Sequence, residues 1–268
     1  MTPDPKTAPR LIVFSDLDGT LLCHDSYSWM QALPALKLMK TLGLPLVLAS
    51  SKTAAEIAPL RADMGFLDCP AIVENGAGLL PAGQEAPVQG DAHEAILACL
   101  DRLPQDLRAP FRGFSDWSVE EVAARTGLAL PEARLAVQRQ FSEPGLWSGT
   151  EKMRLAFEAA LAEGGIVARQ GGRFLTLSFG ATKADRMAEI AAGIAPRAVT
   201  MALGDAPNDV EMIEAADFGV IVRNLHGPGI AELPGEAEGR ITRTAAQGPE
   251  GWNRAVLARI SEQYEQRG

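Results

Sequence analysis

The stretch LIVFSDLDGTLL, Leu11 to Leu22, constrains this 268-residue chain more than any other. Leu11, Ile12, Val13 and Phe14 form an apolar run with no polar face, the pattern of a strand buried on both sides in a parallel sheet. The run ends in two carboxylates, Asp16 and Asp18, followed by Gly19 and Thr20. Residues two apart on an extended chain point the same way, so both acids reach one small volume at the strand's carboxyl end. Open α/β sheets place their ligands there. Two carboxylates that close repel unless they share a cation or a proton, so the pair predicts a Mg2+ site, acid/base chemistry, or both. Gly19 allows a tight turn toward a ligand, and Thr20 adds a hydroxyl beside it. A strand ending in a plain Asx/Gly turn would read the same over this segment, so the rest of the chain has to decide.

Composition narrows the partners. At 47% hydrophobic and 22% charged, the chain has the apolar mass for one large domain or two modest ones. Its net charge of -9 carries no basic block, which argues against nucleic acid and anionic membrane as partners. An acidic protein that handles an anionic substrate needs a metal or individually placed Lys and Arg. Three cysteines without metal-like spacing (Cys23, Cys69, Cys99) point to a reducing compartment, the cytoplasm. His24, His93 and His226 are scattered and give a histidine metal cluster or a serine triad little to build on. The first ten residues, MTPDPKTAPR, read as a polar lead-in rather than a signal peptide. There is no apolar run of about 18 residues, hence no expected membrane span.

Taken in order, Ser26 to Leu42 has helical spacing closed by Gly43, with Pro34 either kinking it or marking its first turn. Leu44 to Ala49 is a second buried-strand pattern running into Ser50, Ser51, Lys52 and Thr53. Thr53 with Glu56 forms a capping box, so a helix starts there, and hydroxyls, a lysine and free helix N–H groups make an anion site. Ala71 to Glu74 is a short strand before the turn signal Asn75-Gly76-Ala77-Gly78. This alternation predicts a doubly wound sheet. From Pro81 a Pro/Gly/Gln linker leads into helical patterns at about 92–103, 118–126, 131–138 and 151–162, then two short strands about Gly171-Gly172. That block reads as an inserted second domain. The doubly wound pattern resumes with a helix opening at Thr182 and Lys183, strands at about 198–203, 217–222 and 240–244, and a closing helix from Trp252.

A second acidic centre, Gly204-Asp205-Ala206-Pro207-Asn208-Asp209, follows a strand, and parallel topology brings two such strand ends to one edge. Together, DLDGT at Asp16 to Thr20, Ser50, Lys183 and GDAPND resemble the four ordered motifs of the haloacid dehalogenase-like superfamily. The resemblance implies a Rossmann-like, mostly parallel α/β core with an inserted α/β cap: residues 1–80 and 178–268 as catalytic core, 81–177 as cap. Within the superfamily the chain is similar to the mannosyl-3-phosphoglycerate phosphatases, through SSKT (Ser50 to Thr53), ENGAG (Glu74 to Gly78), GFSDWSVEEVAARTGL (Gly113 to Leu128), RQFSEP (Arg139 to Pro144) and ALGDAPNDVEMIEAADFGV (Ala202 to Val220). Serine at position 50 and Ala184 after Lys183 depart from the commoner superfamily residues, threonine and glycine, without removing a chemical group.

What the resemblance implies is Mg2+-dependent phosphoryl transfer. Asp16 is the expected nucleophile and Asp18 the acid/base; Ser50, Ser51, Lys183 and Asn208 bind phosphate; Asp16, Asp18, Asp205 and Asp209 surround the metal, with Asp209 and Asn208 holding its waters or orienting Lys183. A glycosyl phosphoglycerate also needs cations and hydrogen bonds from the cap, and the expected contacts are Arg139, Ser142, Glu143 and Arg173, with Arg169 and Asp116 as further candidates. Trp117 and Trp147 are expected to pack in the core rather than stack on a sugar.

Overall fold

The computed structural model describes residues 11–84 and 91–265. The proline-rich lead-in and most of the Pro/Gly linker expected from the sequence lie outside these residues. The first third of the chain forms β1 (Leu11–Ser15), α1 (Leu33–Leu42), β2 (Leu46–Leu48), α2 (Ala54–Met64), β3 (Ala71–Val73) and β4 (Gly78–Leu80). The middle forms α3 (Ala92–Arg102), α4 (Gln105–Arg108), β5 (Phe111–Gly113), α5 (Val119–Thr126), α6 (Leu130–Ala136), β6 (Glu143–Trp147), α7 (Glu151–Ala162), β7 (Val167–Gly171) and β8 (Phe174–Ser178). The last part forms α8 (Lys183–Ile194), β9 (Val199–Gly204), α9 (Val210–Ala215), β10 (Phe218–Arg223), α10 (Pro234–Ala237), β11 (Ile241–Gln247) and α11 (Gly248–Glu265).

Five parallel strands build the central sheet in the order β11-β10-β9-β1-β2. Beyond β2, an isolated parallel bridge from Ala49 to Ile72 attaches the antiparallel β3-β4 pair. The chain leaves β1 toward β2 and returns on the other side at β9, so the order reverses between β1 and β9. That reversal opens the crevice where α/β sheets bind ligands. The apolar run of β1 is buried on both faces as its composition requires. Leu11 and Val13 pack with residues of α1, α2 and α11, whereas Ile12 and Phe14 pack with Met187, Ile190 and Met212 of α8 and α9.

A second sheet, antiparallel and ordered β5-β6-β8-β7, is built from the middle segment. Alternation along β8 sends Leu175 and Leu177 into an apolar cluster with Ile96 and Leu100 of α3 and Phe157 and Leu161 of α7. Phe174, Thr176 and Ser178, on the opposite face, line a cavity. Trp117 packs with Val122 and Ala133, and Trp147 against the α3-α7 cluster, so both tryptophans take packing roles.

Most expected elements differ from the structure by a residue or two at their ends. Three differ by more: β11 runs on to Gln247, the closing helix already starts at Gly248 rather than Trp252, and the first helix starts at Leu33, not Ser26, with Pro34 in its first turn, where a missing N–H costs nothing. Residues 23–28 instead fold as a turn, with the Tyr27 N–H donating to the Cys23 carbonyl at 2.9 Å and Tyr27 at φ 52°. On α11, fully buried Trp252 donates from Nε1 to Ser15 Oγ at 2.9 Å, tying the last helix to the end of β1. Trp252→Ala is expected to cost about 3–5 kcal/mol, and Trp252→Phe less. Urea unfolding checks this; a loss below about 1 kcal/mol for Trp252→Ala would contradict the assigned packing.

Candidate active site

The ends of β1 and β9 lie side by side, with the Asp16 N–H donating to the Leu203 carbonyl at 2.9 Å. This brings Asp16 beside Asp205 and Asp209, whose carboxylate oxygens lie within 4.8 Å of one another, all buried. Lys183, the first residue of α8, reaches into the group and is 2% exposed. Its Nζ donates to Asp16 Oδ1 and to Asp209 Oδ1, both at 2.7 Å. A cation at a helix N-terminus opposes the helix dipole, so only strong anionic partners keep it there. The second oxygen of Asp209 accepts the N–H groups of Asp205 at 3.2 Å and Ala206 at 3.1 Å. Asp209 thus holds Lys183 with one oxygen and the acidic loop with the other.

Asp205 is oriented by two donors, Thr20 Oγ1 at 2.5 Å and Asn224 Nδ2 at 2.8 Å. Gly19 permits this closeness: its φ is 81°, and a Cβ there would sit 2.3 Å from Asn224 Nδ2. Gly204 is equally confined, since an added Cβ would lie 2.4 Å from Asp209 Cβ. The charges do not balance among these groups, because one lysine faces three acids. Burial, and then the Asp209 charge, push the Asp16 carboxyl well above its ordinary value. Burial raises Asp205 too, against the hydrogen bonds from Asn224 and Thr20. Burial works against charge on Lys183, but Asp16 and Asp209 more than offset it and hold the amine protonated. Excess buried negative charge presented on oxygen donors fits a hard divalent cation, and the carboxylates of Asp16, Asp205 and Asp209 are close enough together to hold one.

On the neighbouring strand, β2 leads to buried Ser50, whose Oγ accepts the Lys52 N–H at 3.3 Å. Thr53 and Glu56 form the expected capping box of α2. Lys52 Nζ lies 3.0 Å from Asp18 Oδ2, while Asp18 Oδ1 is buried without a hydrogen-bond partner among the described residues. Asp18, Ser51, Lys52, Lys183 and Asn208 line one side of a cavity of about 1060 Å³, and Arg139, Arg169, Phe174, Thr176 and Ser178 line the other. Asn208 also donates to Asn75 Oδ1 at 3.2 Å.

The expected cap contacts separate into two groups. Arg139 and Arg169 reach the cavity. Buried Ser142 instead donates to Glu74 Oε2 at 2.7 Å, and Glu143 accepts the Ser115 N–H at 2.8 Å while facing His93 Nε2 at 2.7 Å. Arg173 points away, donating to the carbonyls of Arg125 and Thr126 at the end of α5, and Asp116 pairs with Arg108. None of Ser142, Glu143, Arg173 and Asp116 lines the cavity.

Sequence reading missed two residues of the site. Asn224 follows the apolar run of β10 and Glu74 that of β3, so a polar residue ending a buried strand was the available signal. Glu74 accepts the N–H groups of Gln140 at 2.9 Å and Phe141 at 3.2 Å besides the Ser142 hydroxyl, which fastens the second sheet to the core. The fold also brings His226 to the adjacent pair His24 and Asp25, far earlier in the chain. The two rings stack at 4.3 Å with planes 7° apart, so their in-plane lone pairs run parallel and do not converge on one ion.

Residues 13–97 and 150–228, more than half of the chain, match the family model of haloacid dehalogenase-like hydrolases. The chain belongs to that family. Its fold is similar to a haloacid dehalogenase-like hydrolase from Bacteroides thetaiotaomicron (20% identity, 94% of this chain and 99% of that one, TM-score 0.63). It is also similar to BT1666 from the same organism, described among the phosphatases of that superfamily (17%, 99% and 98%, 0.58). A third similar structure is the sucrose-phosphatase of Synechocystis sp. PCC6803 in complex with sucrose and phosphate (17%, 95% and 98%, 0.54). Among the described residues, no helix is long and apolar enough to cross a membrane.

The raised carboxyls set a pH dependence. Asp16 and Asp205 bind protons more tightly folded than unfolded, so their contribution to stability is present below the ordinary carboxyl value of 3.8 and is lost as pH rises through their folded values. In metal-free protein, Asp205→Asn is therefore expected to gain stability over wild type as pH rises from 4 to 8, by about 1–3 kcal/mol at the upper end. Urea midpoints across that range in EDTA test it; a pH-independent difference would contradict the reading of Asp205 as a strained charge.

Proposed function

We propose that the protein is a Mg2+-dependent phosphatase of phosphorylated sugar acids, hydrolysing mannosyl-3-phosphoglycerate or glucosyl-3-phosphoglycerate. The observation that carries this reading is Lys183, which lines the cavity beneath the second sheet, held between Asp16 and Asp209 with Asp205 alongside. The core comprises residues 1–80 and 178–268, and 81–177 acts as the cap. The similarity of SSKT, ENGAG, RQFSEP and the GFSDWSVEEVAARTGL segment to the mannosyl-3-phosphoglycerate phosphatases supports the substrate. A cavity of about 1060 Å³ also has room for a sugar joined to a phosphoglycerate.

The Asp16 carboxylate attacks phosphorus, forming an aspartyl phosphate as the bond to the sugar-acid oxygen breaks. Asp18 donates a proton to that departing oxygen, then takes one from the water that attacks phosphorus in the second step, which releases phosphate and restores Asp16. Lys183, Ser50 and Ser51 bind the phosphoryl oxygens, over which negative charge is spread in the transition state. Asp209 keeps Lys183 in place. Mg2+ held by Asp16, Asp205 and the Asp18 main-chain carbonyl would offset repulsion between an anionic nucleophile and an anionic phosphate. Asn208, at the cavity wall, adds a donor toward the phosphate.

The likeness to sucrose-phosphatase, an enzyme crystallised with sucrose and phosphate, favours phosphatase action on another sugar phosphate as the second reading. Phosphate release with Mg2+ or EDTA separates the two on mannosyl-3-phosphoglycerate, glucosyl-3-phosphoglycerate, mannose 6-phosphate and sucrose 6-phosphate. The expected result is metal-dependent release with clear preference for the glycosyl phosphoglycerates, whereas equal rates on hexose phosphates would sink the first reading. Asp18→Asn should lower kcat about 10²–10⁴-fold. Full retention of turnover in that variant would remove Asp18 from proton transfer.

A further inference from the structure

Four cationic side chains line the cavity: Lys52, Arg139, Arg169 and Lys183. Three are committed elsewhere. Lys183 is held between Asp16 and Asp209, and its third N–H is the one the reaction above turns to the phosphate. Arg139 donates to the Ser51 carbonyl and Ser142 Oγ and lies 3.5 Å from Glu74, with its side chain 8% exposed. Arg169 sits at the rim, half-exposed, opposite Glu211 at 3.3 Å. Lys52 differs in being more deeply buried than its carboxylate partner, Asp18. Its side chain is 12% exposed, against 40% for Asp18. The amine also lies 5.4 Å from the centre of the Tyr27 ring, beside the N-terminus of α2. Asp18 is the residue that the reaction described above needs turned toward the departing oxygen, so Lys52 stands on the leaving-group side of the phosphate.

We propose that Lys52 reads a carboxylate on the departing alcohol, exchanging Asp18 for the acid group of the substrate when the substrate binds. The substrates selected are then phosphate monoesters of hydroxy acids. A buried ammonium that trades one carboxylate for another keeps its charge paired throughout, so little desolvation opposes the exchange. The phosphate ester of an uncharged sugar, with no carboxylate, offers no such trade and leaves Asp18 held by Lys52, away from the oxygen it should protonate. The proposal rests on the reading that phosphate is bound at Asp16, and it adds what the cavity recognises beyond the phosphate.

The test is calorimetric binding in an Asp16→Asn background, with Mg2+ present, of 3-phosphoglycerate and glycerol 3-phosphate. These two differ only in a carboxylate replacing a hydroxymethyl group. A charge-assisted contact predicts tighter binding of 3-phosphoglycerate by about tenfold or more. Adding Lys52→Gln should bring the two affinities together, and adding Lys52→Arg should keep most of the preference. An unchanged ratio with Lys52→Gln, no preference with Lys52 intact, or binding of neither ligand would overturn the proposal. Failure of the phosphatase reading shows separately, as no phosphate release by wild type from glycosyl phosphoglycerates, and leaves the binding ratio readable.

Discussion

The rest of the structure depends on one buried ion pair, Lys183 between Asp16 and Asp209. Taking charges out of water is costly, and an incomplete set is costlier still, since a stranded buried charge loses its solvation and gains no partner. Here the set is incomplete by design: three acids meet one amine, and burial, with the Asp209 charge adding to it, lifts the Asp16 and Asp205 carboxyls. Much of the local architecture holds that unfavourable group together. Gly19 and Gly204 remove side-chain bulk where carboxylates crowd, and Thr20 and Asn224 supply donors to Asp205. Ser15, beneath Asp16, is fixed by the Trp252 indole. A surplus of buried negative charge at the point where strand order reverses is what the entry of a cation would relieve.

The second sheet is tied to this centre through strained backbone. Glu74 and Asn75 adopt φ of 51° and 58°, followed by Gly76 at 97°. Non-glycine residues in that region cost of order 1–3 kcal/mol each and persist where surroundings over-determine them. The surroundings here are specific. The Glu74 N–H donates to the Lys52 carbonyl and the Asn75 N–H to the Ser50 carbonyl, both at 2.9 Å, while the Glu74 carboxylate gathers residues 140–142. Gly76 passes so close to α8 that an added Cβ would lie 2.1 Å from the Thr182 backbone. One turn therefore joins the loop that carries Ser50 and Lys52, the segment leading into β6, and the helix that carries Lys183. Fully buried Arg61 anchors the exit nearby, donating to the carbonyls of Cys69, Leu80 and Pro81.

The core was legible in the sequence because its signals are local. An unbroken apolar run with acids at its end, a capping box at Thr53 and Glu56, and Pro207 opening a turn each state their structure within a few residues. Strand ends then meet by topology alone, which brought Asp16, Lys183, Asp205 and Asp209 together. The cap was less legible because its polar residues are chosen by distant partners. Ser142, Glu143 and Arg173 look like ligand contacts in the sequence, yet Glu74, Ser115 with His93, and the end of α5 take up their hydrogen bonds. Whether a buried serine faces a substrate or a glutamate 68 positions away is not encoded near it. The turn at 23–28 was partly missed for the opposite reason: helical spacing begins at Trp29, close enough to draw the expected helix back to Ser26, and only Pro34 marked where it could begin.

The central claim is that Asp16 becomes covalently phosphorylated. Its most direct test is borohydride reduction of enzyme quenched during turnover, followed by peptide mass spectrometry, because an aspartyl phosphate is reduced to homoserine whereas a free carboxylate is not. The account predicts homoserine at position 16, only when a phosphorylated substrate is present. Rapid phosphate release with unmodified Asp16, or homoserine at another aspartate, would contradict it.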